Sequence, residues 1–290
     1  MKQLLVISGK GGTGKTTLVS AFSSLADEKV ISDCDVDAAD LHLVLDPEVE
    51  SREEFYGDKE AIKDDEKCTD CGLCREYCRF DAIDENYEID PYRCEGCGVC
   101  AHVCPVDAIR MEDTLSGYSY ESETQYGKLV HGELRAGEET SGKLVTEIKE
   151  KAVNVAEREG EELIIIDGSP GTGCPVIASL ADVDLALIIT EPTLSGLNDL
   201  KRVIQLSENF EIEPAVVINK YDLNEEMVEN IESYARDNDI PVMGKIPYDP
   251  NVTRAMVQGK SIVEYVDGGA AAKIVEVWGK VREKFDAIPA

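Results

Sequence analysis

The chain has 290 residues, 43% of them apolar, and a formal net charge of −30. That apolar fraction supplies a substantial core, while the acidity excludes nonspecific nucleic-acid binding, which needs clustered Lys and Arg. No apolar run reaches the roughly 18 residues of a membrane span, and the N-terminus lacks a signal-peptide core, so a cytoplasmic location is expected.

Leu4–Ser8 is a short apolar run leading into a glycine loop, Gly9-Lys10-Gly11-Gly12-Thr13-Gly14-Lys15-Thr16, with Thr17 next. Thr16–Ala26 predicts a helix with Leu18, Ala21, Phe22 and Leu25 on one face. A glycine loop between strand and helix aims backbone N–H groups at phosphates. Lys15 then reaches the β- and γ-phosphates, and the Thr16 hydroxyl binds Mg²⁺. Val30–Ser32 is a second short strand ending at Asp33, Asp35 and Asp37. Further strand candidates are Leu163–Ile166, Leu185–Ile189 and Ala215–Ile218. All are continuously apolar, as strands covered on both faces are. Helical patterns such as Leu197–Glu208 and Glu225–Arg236 separate them, which predicts an α/β fold with a mostly parallel sheet.

Between these elements lie two cysteine runs, Cys68-Cys71-Cys74-Cys78 and Cys94-Cys97-Cys100-Cys104. Each has the spacing C-x2-C-x2-C-x3-C, and each leads into Asp-Ala-Ile. This repeat of about 26 residues resembles a bacterial-type ferredoxin with two 4Fe–4S clusters. We therefore expect a small α+β module over 58–112, inserted into a nucleotide-binding domain formed by 1–57 and 113–290. The resemblance implies that the fourth cysteine of each run serves the other cluster. One cluster then takes Cys68, Cys71, Cys74 and Cys104; the other takes Cys78, Cys94, Cys97 and Cys100. Zinc is the alternative occupant of four-cysteine sites. Arg79 replaces the proline usual after the fourth cysteine, which suggests that the Cys78 cluster has the higher potential. Cys34 reads as a small buried residue, and Cys174 as structural.

The stretch SGYSYESETQYGKLVHGEL alternates loosely and suggests a hairpin. Ala270–Phe285 places Ile274, Val277, Trp278, Val281 and Phe285 on one helical stripe. Packing on the sheet is expected for it, not stable membrane association, because acidic residues intersperse the flanking lysines.

GKGGTGKTT resembles the deviant Walker A loop of the MinD/ParA/Mrp/nitrogenase-iron-protein group of P-loop ATPases. The resemblance implies ATP and Mg²⁺ as cofactors and a homodimer formed through the nucleotide face. In it, Lys10 crosses to the partner's nucleotide. SDCDVDAADLHL resembles switch I, so Asp35 or, alternatively, Asp37 positions the attacking water and Asp33 lies near the metal. LIIIDGSPGTG resembles Walker B and switch II, with Asp167 in the magnesium shell and Gly171 in the mobile loop. VVINKYD places the Asn219 carboxamide at the base, and KIPYDP places Ile246 and Pro247 beside it. Asn219-Lys220-Tyr221-Asp222 also matches the NKxD guanine motif, which keeps guanine as a minor alternative.

The motifs together are similar to a subgroup of these ATPases that carries an inserted two-cluster ferredoxin domain. That implies an ATPase coupled to low-potential electron transfer to a redox partner. The alternative is an iron–sulfur or metallocofactor assembly factor acting on a maturation partner. A positioning ATPase fits less well, because a basic tail and a basic DNA face are missing.

Overall fold

The computed structural model describes residues 1–136 and 141–288. Eleven strands are present among them: β1 (Lys2–Ser8), β2 (Lys29–Asp33), β3 (Glu48–Phe55), β4 (Asp58–Lys63), β5 (Ile109–Thr114), β6 (Gly117–Thr124), β7 (Gly127–Leu134), β8 (Leu163–Pro170), β9 (Leu185–Thr190), β10 (Glu213–Asn219) and β11 (Val242–Ile246). Nine form one sheet in the order β11-β10-β9-β1-β8-β2-β7-β6-β3. The pairings of β1 with β8 and β9, of β10 with β9 and β11, and of β2 with β7 and β8 are all parallel. The expected α/β class and parallel sheet are therefore present.

The aliphatic runs explain the sheet's centre. Leu4, Leu5, Val6 and Ile7 are fully buried, as are Leu185 to Ile188 and Ala215 to Ile218. Burying both faces of a strand requires helices on both sides, which β-x-β crossovers supply. Helix Lys15–Leu25 follows the glycine loop and buries Leu18, Val19 and Phe22. The last helix, Gly269–Ala287, buries its expected stripe, and Trp278 meets Phe22 with ring centroids 4.8 Å apart. The loosely alternating stretch forms β6 and β7, joined across Gln125 and Tyr126. The Thr124 hydroxyl donates to Gly127 O at 2.7 Å and accepts from Tyr126 N–H at 3.1 Å, fixing that turn.

The chain divides into two compact units. The larger contains most of the nine-stranded sheet. The smaller is mainly Glu54–Tyr118 and contains both cysteine runs. Its frame is the antiparallel pair β4–β5, in register from Asp58↔Thr114 to Lys63↔Ile109. Two short helices, Leu73–Tyr77 and Val99–Val103, pack against each other, each following a glycine with positive φ. That internal likeness matches the repeat in the sequence.

Candidate functional site: a nucleotide pocket and two cysteine-lined cavities

At the carboxyl end of β1 the loop opens onto a cavity of ≈ 380 Å³. Gly11, Gly12, Gly14, Lys15, Thr16 and Thr17 line one side. Asn219, Ile246 and Pro247 line another, so the expected base-side residues do face this space. Its size suits a small-molecule ligand. Gly12 and Gly14 take φ of 78° and 102°, a region that disfavours side chains. At Gly14 a Cβ would also lie 2.6 Å from Asn219 Nδ2. Gly9 lies against Asp199, where a Cβ would come within 2.2 Å.

Asn219 donates from Nδ2 to Thr13 O at 2.7 Å, so its carboxamide braces the loop beside the pocket. Lys220 adds to that brace, donating to Gly12 O at 3.3 Å and pairing with Glu191 at 2.5 Å. Lys10 does not line the pocket; its ammonium lies 3.6 Å from Glu191 of the same chain. Gly171, with φ of 97°, donates its N–H to Ser8 O at 2.8 Å and ties the loop after β8 to β1. The Asp222 carboxylate accepts from Tyr248 N–H at 2.7 Å and so is occupied by backbone.

The aspartates fall into two groups. Asp33 and Asp167 are paired in register across β2 and β8 and are 2% and 1% exposed. Neither oxygen of Asp167 has a hydrogen-bond partner. Burial, reinforced by Asp167, pushes the Asp33 carboxyl well above the usual range. Burial also pushes Asp167 up to about 7, against the opposing pull of Lys15. Asp33 Oδ1 accepts from Asp35 N–H at 3.1 Å, so the orphaned oxygens are those of Asp167; a buried carboxylate left unsatisfied beside a second one fits a hard divalent cation. Asp35 stands apart, lining the cavity 3.5 Å from Lys15 Nζ. Asp37 is exposed and lies outside the pocket wall, so of the two switch I alternatives only Asp35 is brought to the loop. Asp40 and Tyr248 also line the pocket. Sequence reasoning quoted their segments without singling them out.

In the smaller unit the eight cysteines divide between two small cavities, each of ≈ 20 Å³. The first is lined by Cys68, Cys71, Cys74 and Cys104; the second by Cys78, Cys94, Cys97 and Cys100. Three members of each set come from one run and the fourth from the other. Burial raises the thiol pKa of Cys74 and Cys100. Among the described residues no three His, Cys, Asp or Glu side chains converge on a single ion-sized point. Arg79 is exposed and absent from both walls. Being exposed, it is screened by water and would act on the Cys78 site less than a wall residue does. Cys34 is fully buried, and burial pushes its thiol up to about 12. Cys174 is exposed at the start of helix Cys174–Leu180.

A glycine loop, a buried acidic pair and a parallel sheet in this arrangement define a P-loop nucleotide-binding protein. Residues 4–262 match the CobQ/CobB/MinD/ParA nucleotide binding domain, and the chain belongs to that family. An uncharacterised protein of Methanocaldococcus jannaschii is 38% identical over 97% of this chain and 96% of its own length. An iron-sulfur cluster carrier protein of Pyrococcus horikoshii is 27% identical over 51% of this chain and 54% of its own. Among solved structures, the septum site-determining protein MinD of Pyrococcus horikoshii, complexed with Mg-ADP, superposes with a TM-score of 0.61. The identity there is 17%, covering 99% of this chain and 98% of the other. No described helix is long and apolar enough to cross a membrane.

Proposed function

We propose that the chain is a homodimeric, Mg²⁺-dependent ATPase whose smaller unit is a two-cluster ferredoxin module, and that it couples nucleotide state to low-potential electron transfer to a partner protein. One observation carries this reading: a single small unit holds two equal cavities, each walled by four cysteines with the fourth exchanged between runs. Such exchange is the ligation rule of two-cluster ferredoxins. The tight C-x2-C-x2-C triple in each run favours an iron–sulfur cluster over zinc. When bound, the clusters supply one-electron chemistry.

In the nucleotide site the chain's own groups divide the work. The loop amides and Lys15 hold the phosphates, and Thr16, Asp33 and Asp167 hold Mg²⁺. Asp35 orients the attacking water, being the acidic switch I residue beside Lys15. Asn219 sets the loop against the base, which Ile246 and Pro247 flank. Asp222 is absent from the pocket wall and accepts from Tyr248 N–H through one oxygen, so it is not turned toward a base as an NKxD site requires, which favours adenine. Lys10, held by Glu191 in the single chain, is the residue available to reach a partner's nucleotide. A charge supplied in trans to a phosphoryl transfer site is worth about 10³ to 10⁵ in rate.

A second reading, iron–sulfur or metallocofactor assembly, draws support from the carrier proteins that align with half of the chain. Anaerobic oxidation of the reduced protein by an acceptor dye, with and without MgATP, separates the two. Electron transfer predicts acceleration by MgATP that Lys10→Ala abolishes while iron content stays the same. Rates indifferent to nucleotide would overturn it and leave assembly.

A further inference from the structure

The two cysteine-lined cavities share a plan but not a chemistry. Each is covered at an equivalent point. A Cβ on Gly72 would sit 3.6 Å from the Tyr87 hydroxyl, and a Cβ on Gly98 would sit 3.9 Å from Met111 Cγ. A phenol therefore covers the first cavity where a thioether covers the second. Tyr87 is presented by a tight turn in which the Asp84 carboxylate accepts from Asn86 and Glu88 N–H, both at 2.8 Å. The first cavity also has Lys63 in its wall, with a side chain only 10% exposed. The Lys63 ammonium pairs with Asp65 and Glu88, but those carboxylates are 78% and 65% exposed. Water screens them far more than it screens the covered lysine. Ala108 N–H donates to Cys104 Sγ at 3.2 Å in the same cavity. Its one wall carboxylate, Asp70, lies 3.6 Å from Cys68 Sγ but is exposed to solvent, as is Glu95 of the second wall. The rest of the second wall is apolar, with Phe80, Ile83, Ile89, Val99 and Met111, and includes no cation and no hydroxyl.

Reduction of a thiolate-bound cluster adds one negative charge. Its potential therefore rises with nearby cations and with hydrogen bonds to sulfur, and falls in apolar surroundings. Both effects act in the same direction here. We propose that the cluster site formed by Cys68, Cys71, Cys74 and Cys104 has the higher potential, and that Lys63 and Tyr87 set the difference from the site formed by Cys78, Cys94, Cys97 and Cys100. An electron supplied by an external one-electron donor then passes from the second site to the first. One site is oxidised and the other reduced by the same electron, and no proton moves. This rests on the two-cluster reading above and gives the module a direction.

The test is an anaerobic EPR-monitored potentiometric titration of the full chain, its Lys63→Gln variant and its Tyr87→Phe variant. The wild type should show two couples, with the electron favouring the upper one at least tenfold, which is about 59 mV for a one-electron couple. Each variant should lower the upper couple and leave the lower one in place. Two couples of equal potential, variants that move the lower couple, or variants that move neither would overturn the assignment while leaving the two-cluster reading intact. Absence of any cubane signal, with iron far below about eight per chain, would overturn the two-cluster reading itself. Tyr87→Phe removes a single oxygen and so tests the wall even if Lys63→Gln disturbs the fold.

Discussion

The larger unit and the cysteine unit solve the problem of cohesion by opposite means. The first buries long aliphatic side chains through a nine-stranded sheet, with Phe22, Trp278 and the strands β1, β9 and β10 fully covered. In the second, from Glu54 to Tyr118, the buried apolar residues among those described are Phe55, Ala61, Ala82, Ile83, Ala108 and Ile109, half of them alanine. A core of that size does not hold a domain of this length by itself, and natural proteins of this kind add metals or disulfides. None of its eight cysteines is in a disulfide. Cohesion in the first unit comes from burial; on the two-cluster reading proposed above, the second relies on what its cysteines hold.

Three experiments break or sharpen that contrast. Removing iron with a chelator under reducing conditions should have the largest effect. The cysteine unit should become protease-sensitive, while the nucleotide unit still binds an ATP analogue. A chelated chain whose smaller unit resists proteolysis would show that its apolar core suffices. Next, Phe22→Ala should lower the stability of the larger unit by about 3–5 kcal/mol with no change in iron content, read by urea unfolding alongside iron analysis. An equal loss of iron would mean that the two units are not separable in this way.

The smallest effect concerns His131 on β7, which lies 3.0 Å from Ser122 Oγ and stacks on Tyr120. Burial lowers its pKa to about 4 from 6.5. The unfolded chain takes up a proton below about 6.5, while the folded chain resists until about 4. Stability is therefore fully present above the unfolded value and is lost as pH falls between the two, by about 1–3 kcal/mol at most. His131→Gln should flatten that slope when urea midpoints at pH 7 and pH 5 are compared; an unchanged slope would place the titration elsewhere.

Much of the larger unit was legible because its strands are continuous aliphatic runs, and only a covered strand carries such a run. The edge strand β3 was not, since Glu48–Phe55 is charge-rich and its side chains are mostly exposed. Charge on an edge strand protects it from pairing with other chains and hides the period-2 signal. The sorting of cysteines into two exchanged sets came from the resemblance to two-cluster ferredoxins, since spacing alone does not say which run supplies a fourth ligand. Lys63 and Tyr87 could not be read the same way. They lie outside the cysteine runs and reach the first cavity through the β4–β5 register and the Asp84 turn. The sequence left Asp35 and Asp37 as alternatives, since two residues of spacing carry no direction; the backbone after β2 turns one inward and the other outward. Arg79 shows the converse, a residue adjacent to a cysteine in sequence that lines neither cavity.

The exchange of Cys78 and Cys104 between the two walls also sets an order of synthesis. Cys104 is the last of the eight to leave the ribosome, yet it closes the cavity begun by Cys68, the first. On a nascent chain the second wall gains its fourth cysteine with residue 100, whereas the first, begun with three cysteines by residue 74, waits for residue 104. Neither set is completed from one run alone, so each half supplies the clasp of the other.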